Sequence, residues 1–280
     1  MTRKRLTITL KKDLLEKLDK SVDGSKIRNR SHAIEYFLSK SLKSETSRVL
    51  ILAGGAGLKL KPITDEIPKC LIKIQNKPLL EHTFDLLKKY NLTDIVIATG
   101  HLSNKVKQHF KDGLRFGFKI TYIEDKKKSG TINPVLSVKN QFNNNPFIVI
   151  YSDVLTDIDY ADLLEFHKSH NGVATMALAS VEKPSVWGVV DMQGSKVVRF
   201  REKPQKKVTS HLINAGIYVF NASVFKYLNS NQKMLEQDLF PQLVKEGKLY
   251  GYPFRGGWYD VGSIKNYKQA SKDWKGFKQK

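Results

Sequence analysis

Polar and apolar positions alternate from Arg5 to Leu10, with Leu6, Ile8 and Leu10 on one side and Arg5, Thr7 and Thr9 on the other. That two-residue period predicts a strand with one buried face. The period then changes. Leu14, Leu15, Leu18 and Val22 recur at helical spacing, and Asp23-Gly24-Ser25 supplies a stop. A second helix is expected to open at Ser31, a good N-cap, with Ala33, Ile34, Phe37, Leu38 and Leu42 on one face. A strand and two helices within residues 1–43 cannot bury this much apolar surface alone, so the pattern asks for a partner chain. Residues 44–47 are polar and read as a linker, and a second domain is expected over 48–280.

In that second domain strands and helices alternate in the manner of an α/β, doubly wound sheet. Val49, Leu50, Ile51 and Leu52 form an unbroken apolar run before glycines, the mark of a parallel strand covered on both faces. Further strands are predicted over 95–98, 118–123 and 147–151, and helices over 79–87, 105–110 and 131–139. After Gly172 come β segments at 173–181, 189–192, 197–200 and 213–220, then helices near 235–244 and 264–274. Ligands in such sheets bind beyond the carboxyl ends of strands. Gly54 and Asp153 both stand at ends of that kind.

Ala53, Gly54, Gly55, Ala56 and Gly57 carry little bulk, so their backbone can approach a ligand and turn N–H groups toward an anion. Lys59, Lys61 and Lys69 follow in one loop, stiffened by Pro62 and Pro68. A plain surface turn with solvated lysines is the other reading. The net charge of +21 and pI of 9.8 favour polyanions: nucleic acid, nucleotides or an acidic membrane surface. The single cysteine, Cys70, excludes an internal disulfide, fits a reducing compartment and reads as a packed residue. The polar N-terminus and the lack of a bilayer-length apolar run predict a cytoplasmic protein with no membrane partner.

Asp153 and Asp260 are the best candidates to hold Mg²⁺, which takes one or two carboxylates plus substrate phosphates. Either alone also reads as a cap or turn residue. His167 and His170, three apart, read as a solvated helix face ahead of a metal pair. Tyr250, Tyr252 and Phe254 read as strand packing, and lysines 126–128 as a solvated run or part of a phosphate field.

Residues 50–73, LILAGGAGLKLKPITDEIPKCLIK, resemble the LAGGxGxRLxPxTxxxPKxL motif of the sugar-1-phosphate nucleotidyltransferases. The resemblance implies a Rossmann-like domain whose loop, here Leu52, Ala53, Gly54, Gly55 and Gly57, holds a nucleoside triphosphate. It assigns phosphate contacts to Lys69 and to Lys59, which stands where the family has arginine. A lysine keeps the charge but loses the planar fork. Leu58 departs too, from a small hydroxyl residue. FIVIYSDVLTDID resembles the strand ending in Gly-Asp, with Ser152 replacing glycine and Asp153 at the metal position; WYDVGSIKNY places Asp260 at the second. Glu202-Lys203-Pro204 resembles the family's EKP, whose lysine reaches the sugar phosphate. Asn214-Ala215-Gly216 resembles the segment lining the sugar pocket, and Gly188 the glycine before that hairpin. At Ser129-Gly130-Thr131-Ile132-Asn133-Pro134 the family shows LGTAGA, so Gly130 and Thr131 fall on nucleotide positions while Ile132, Asn133 and Pro134 are larger. Glu124 stands where guanylyl-type members often carry an acid, which points to GTP.

The string KRLTITL and the strand-helix-helix order after it resemble the ribbon-helix-helix DNA-binding proteins. That resemblance implies a homodimer whose paired strands enter the major groove. Arg5, Thr7 and Thr9 would meet base edges, and Ser31, in the 29–32 turn, would sit at a phosphate. Residues 1–47 hold 12 Lys+Arg against 6 Asp+Glu. A dimerisation arm without a DNA site is the other reading. Taken whole, the expectation is an enzyme joining a nucleoside triphosphate to a sugar 1-phosphate, with Mg²⁺ and a DNA-binding module. The alternative is a DNA-binding regulator whose weakened catalytic domain senses a nucleotide or sugar nucleotide.

Overall fold

The computed structural model describes residues 7–24, 27–42, 48–125, 130–142 and 145–276. The chain divides into two units, residues 1–46 and 47–280.

The first unit contains helices Lys12–Lys20 and Arg30–Leu42. The strand expected over 5–10 is not formed by the described residues 7–10, which carry no regular structure; Arg5 and Leu6 lie outside the described residues. A ribbon strand needs an opposing backbone for its hydrogen bonds, and a single chain supplies none. The second helix opens earlier than expected, because Asn29 rather than Ser31 is its cap: the Asn29 Oδ1 accepts the His32 N–H at 2.8 Å. Ser31 lies exposed in the first turn. Arg30 donates Nε and Nη2 to the Asp19 carboxylate at 2.6 and 2.7 Å, tying the two helices. Of the unit's described side chains Ile27 and Ala33 are buried, whereas Ile8, Leu14, Phe37 and Leu38 are 39–52% exposed. These apolar side chains stand exposed among the described residues.

In the second unit strands β1 (Val49–Ala53), β2 (Lys73–Ile74), β3 (Lys77–Pro78), β4 (Asp94–Thr99), β5 (Lys119–Glu124), β6 (Phe147–Tyr151) and β7 (Val154–Thr156) come first. They are followed by β8 (Ala174–Ser180), β9 (Gly188–Gln193), β10 (Lys196–Glu202), β11 (Leu212–Phe220), β12 (Leu249–Pro253) and β13 (Trp258–Asp260). Among the described residues, nine of them form one mixed sheet in the order β5-β4-β1-β6-β11-β8-β12-β10-β9. β1 lies parallel between β4 and β6, and β5 is parallel to β4. The chain thus leaves β1 to one side and later returns to its other side. The crevice beyond the ends of β1 and β6 is a topological switch point, where open sheets bind ligands. Past β6 the sheet turns antiparallel through β11 and β8.

Alternation along the buried strands fills both faces. Val49, Ile51, Ile148 and Ile150 pack on one side, and Leu50, Phe147, Val149 and Tyr218 on the other. Helices Leu79–Lys89 and Ser103–Phe110 form where expected. The helix expected over 131–139 is instead two short pieces, Ile132–Ser137 and Lys139–Phe142, interrupted at Val138. That near 235–244 is a π turn, Leu235–Leu239, leading into Phe240–Lys245, because Pro241 lacks the N–H that an unbroken helix requires. Helix Tyr160–Lys168 is capped by Asp159, whose Oδ1 accepts from the Ala161 and Asp162 N–H groups at 3.0 and 3.1 Å. A separate antiparallel ribbon pairs β7 with β13, register Asp260 to Val154. A small core of Ile74, Leu79, Leu155, Val261, Ala270 and Trp274 holds that ribbon against the helix Ile264–Asp273.

Candidate active site

At the end of β1 the backbone turns outward through the glycine loop, which is fastened from behind. The Gly54 carbonyl accepts the His101 N–H at 3.3 Å, and the Gly57 carbonyl accepts the Thr64 hydroxyl at 2.8 Å. Above it opens a cavity of about 300 Å³ whose walls include Leu52, Gly54, Gly55, Gly130, Thr131 and Asp153. Two expected residues of the loop stay outside this wall: Ala53 is buried in the core, and Gly57 packs its backbone on Thr64. Gly130 has φ +90°, and a Cβ there would run into the Lys233 carbonyl, so glycine alone fits. The Thr131 hydroxyl accepts the Leu235 N–H at 2.8 Å, which commits it to bracing the wall.

Glu124, expected at the nucleotide, does not line this cavity. Its carboxylate accepts from Ser103 Oγ at 3.1 Å and Lys107 Nζ at 2.9 Å on the neighbouring helix. The pleat explains the correction: adjacent residues of a strand point opposite ways. It is Asp125, one residue on, that lines the cavity.

A second lobe of about 250 Å³ adjoins the first and shares Lys69, Tyr151 and Asp153 with it. Gly188, Glu202, Lys203 and Asn214, expected at the sugar phosphate, line it together with Asp260, and so does Lys59, which was expected at the triphosphate. Lys203 has φ +41°, an uncommon conformation for a residue with a side chain, and its Nζ lies 3.1 Å from Glu202 Oε1. Asn214 spends its amide internally, donating to the Tyr218 hydroxyl at 2.8 Å and accepting the Gly216 N–H at 3.0 Å. It shapes the wall by holding a break in the β11–β8 register.

Where the lobes meet, Lys69 Nζ donates to Asp153 Oδ2. Both are mostly covered, at 16% and 21% exposure. The β7–β13 ribbon sets Asp260 beside Asp153, the Val261 N–H donating to the Asp153 carbonyl at 2.8 Å. Trp187 Nε1–H donates to Asp260 Oδ2 at 2.9 Å. Burial lowers the Lys69 pKa, but Asp153, by charge and hydrogen bond, and Asp260 outweigh it and hold it above its ordinary value. Burial and the Asp153 charge raise the Asp260 pKa, against the pull of Trp187, Lys69 and Lys59. Two carboxylates thus repel each other in a half-dry pocket. Among the described residues no three His, Cys, Asp or Glu side chains gather as a metal cluster. The pair nonetheless suits Mg²⁺, which needs few protein carboxylates when phosphates complete its shell, and whose charge would relieve the repulsion.

Several wall residues escaped the sequence reading. The Tyr151 hydroxyl donates to Glu236 Oε1, and Glu236 is buried at 8% exposure. Residues 235–240, LEQDLF, hold two acids and a glutamine, so no local signal marks Glu236 as the buried one. Trp258 donates Nε1–H to the Ala215 carbonyl at 3.0 Å and supports the wall of the second lobe. Far from both lobes, His167 and His170 are not a solvated face: each ring lies 2.8 Å from Thr175 Oγ1, and His167 is 2% exposed. Cys70 is buried, its thiol pushed up to about 12 by desolvation, as a packed residue should be. In the first unit Thr7, Thr9 and Ser31 are exposed and Arg5 lies outside the described residues, as do lysines 126–128 of the second.

The family model described as "Nucleotidyl transferase" matches residues 48–275. The chain belongs to this family. Among its relatives, mannose-1-phosphate guanyltransferase beta-A of Xenopus laevis is 34% identical over 225 residues, 79% of this chain and 62% of the relative. The mannose-1-phosphate guanylyltransferase catalytic subunit beta of Dictyostelium discoideum is 34% identical over 224 residues, with the same shares covered. The chain therefore spans about 62% of the length of these curated relatives. A sucrose-bound Bacillus anthracis crystal structure carrying a glucose-1-phosphate thymidylyltransferase name superposes with a TM-score of 0.75 at 28% identity, covering 81% of this chain and 94% of that one. A UDP-glucose pyrophosphorylase complexed with UDP-glucose shares the fold, with a TM-score of 0.69 at 23% identity and coverage of 81% and 97%. The nucleotidyl transferase match begins at the second unit and leaves the first outside it.

Proposed function

We propose that the second unit is a sugar-1-phosphate nucleotidyltransferase, forming an NDP-sugar and pyrophosphate from a nucleoside triphosphate and a sugar 1-phosphate. The observation that carries this reading is the Lys69–Asp153–Asp260 group at the junction of two lobes, one walled by glycines and the other by Lys203 and Glu202. Gly54 and Gly55 would receive the triphosphate, and Lys203 would hold the sugar phosphate at the junction. An oxygen of that phosphate attacks the α-phosphorus in line; the bond from phosphorus to the bridging oxygen breaks and pyrophosphate leaves. Lys69 and Lys59 would offset the charge shared by the transferred group and pyrophosphate. No residue of the chain becomes covalently attached. Asp153 and Asp260 would hold Mg²⁺, which supplies charge neutralisation between the reacting phosphates when bound.

Pyrophosphate release with Mg²⁺ across a panel of triphosphates and sugar 1-phosphates tests the reading, with Asp153→Asn as control. GTP and mannose 1-phosphate head the panel, because the curated relatives are named for that transfer. No pair giving release, while calorimetry still detects nucleotide, would leave a ligand sensor in place of the enzyme.

The first unit is read as a DNA-binding, dimeric ribbon-helix-helix module. Its two helices, its exposed Thr7 and Thr9 and its uncovered Ile8, Phe37 and Leu38 support that reading, since a second copy would cover the apolar stripe and complete the ribbon. A gel shift at physiological salt tests it; no preference among genomic fragments leaves a dimerisation arm. Among the described residues no helix is long and apolar enough to cross a membrane. A cytoplasmic place is part of the proposal.

A further inference from the structure

One residue of the second lobe is tied to both of its charged groups. Trp187 follows the single turn Pro184–Val186, its N–H donating to the Pro184 carbonyl at 3.0 Å, and stands just before β9. Its backbone carbonyl accepts the Lys203 N–H at 3.1 Å, at the residue whose φ is +41°. Its indole Nε1–H donates to Asp260 Oδ2 at 2.9 Å. The lysine assigned to the sugar phosphate and a carboxylate assigned to the metal thus hang from the same residue, one by its main chain and the other by its side chain.

The indole is pinned from another side. Trp258 meets it edge to face, with ring centroids 5.6 Å apart at 74°, and Trp258 is itself anchored through Nε1–H to the Ala215 carbonyl at 3.0 Å. An indole nitrogen only donates, so the bond to Asp260 has one sense and occupies Oδ2. Gly262 shapes the space around the other oxygen. A Cβ built there would come within 2.6 Å of Asp260 Oδ1 and 3.2 Å of Oδ2. The φ of Gly262 lies outside the left-handed region, so this glycine supplies room for the carboxylate rather than an unusual backbone. The last torsion of an aspartate is broad and leaves the carboxylate plane undecided. Here the donor on Oδ2 and the bare backbone beside Oδ1 decide it.

We propose that Trp187 is a positioning residue of the transfer site: its indole N–H fixes the Asp260 carboxylate in the orientation that receives Mg²⁺, while its carbonyl holds Lys203 in the adjoining wall. The proposal rests on the reading of the second unit as a transferase whose Asp153 and Asp260 hold the metal. It gives the two ties separate work, and substitution can part them. Trp187→Phe keeps an aromatic ring and the carbonyl and removes the N–H alone. Gly262→Ala keeps the indole and pushes the carboxylate off its seat.

The test has two readouts on the full chain. The first is the indole ¹H–¹⁵N spectrum during titration with Mg²⁺ alone. The chain has three tryptophans, and the Trp187 signal is the one missing from Trp187→Phe. It should shift with Mg²⁺ in the parent and stay fixed in Asp260→Asn. The second is pyrophosphate release, with the triphosphate and sugar 1-phosphate that the panel identifies. In Trp187→Phe the Mg²⁺ concentration for half-maximal release should rise about tenfold or more, the weight of one hydrogen bond to a charged group, while KM for the sugar 1-phosphate holds. Gly262→Ala should raise the Mg²⁺ requirement in the same way, and it carries the test if Trp187→Phe does not fold. A parent that releases pyrophosphate, with variants that keep its Mg²⁺ requirement or a Trp187 signal blind to Mg²⁺, overturns the proposal and leaves the transferase reading standing. KM rising in step with the Mg²⁺ requirement in Trp187→Phe overturns it too, because the lobe has then loosened as a whole. A parent whose Trp187 signal answers Mg²⁺ through Asp260 but which releases nothing keeps the positioning role and removes the transfer. A parent that does neither removes both.

Discussion

Replacing Lys69 by methionine removes one cation from between two carboxylates and keeps the side chain's length. The pair it breaks is neither a surface pair nor a deeply buried one, at 16% and 21% exposure. Exposed pairs contribute about 0–1 kcal/mol, and losing one partner of a buried pair costs about 3–5 kcal/mol. An intermediate loss of about 2 kcal/mol in unfolding free energy is expected, because Asp153 keeps its charge without a partner while the ammonium's own burial cost disappears. Urea unfolding of the two chains measures it. The pH dependence has a definite sign. The folded Lys69 pKa is raised, so its contribution is complete below the ordinary 10.5 and is lost as pH climbs through the folded value. The gap between the two chains should therefore stay flat through neutral pH and close above 10.5. Pyrophosphate release should fall more than stability does, by about 10²–10³-fold, the usual effect of deleting a donor to transition-state charge. A Lys69→Met chain that unfolds with its parent and turns over at the parent's rate refutes this reasoning. One that is destabilised but fully active reduces Lys69 to a brace for Asp153.

Asp260→Asn should have the opposite character, abolishing release while raising the melting temperature at neutral pH. Its folded carboxyl is raised by burial and by Asp153, so the charged form costs stability as pH rises above 3.8; melting curves across pH should converge toward that value. Tyr151→Phe takes from the buried Glu236 a hydrogen-bond donor and should cost about 1–3 kcal/mol in thermal or urea unfolding. Gly130→Ala forces a Cβ against the Lys233 carbonyl at φ +90°, costing about 1–3 kcal/mol, and calorimetry should find triphosphate binding weakened.

The parallel half of the sheet was readable because burial on both faces writes continuous apolar runs, as at Val49–Ala53 and Phe147–Tyr151. The hairpin of β2 and β3 was not, since two-residue strands leave no period to read; its turn, Gln75 and Asn76 at φ 49° and 65°, carries none of the usual glycine. Site residues at strand ends were accessible for the same reason that the strands were. Glu124 and Asp125 differ by one pleat, and strand edges inferred from sequence do not resolve one residue. Asn29 displaced Ser31 as a cap because both are good caps two positions apart, and the neighbouring geometry decides. The Tyr151–Glu236 pair joins segments 85 residues apart that no local pattern relates.

The β7–β13 ribbon gives the site an order of birth. Translation delivers the glycine loop, Lys69 and Asp153 long before Asp260, and domains fold as their segments emerge. A chain interrupted before residue 258 would hold β1, β4, β5 and β6 and still lack half of its carboxylate pair. Such fragments would have shape without chemistry. The strand that completes the junction therefore comes late in the chain, and the helix that packs on it, Ile264–Asp273, comes later still.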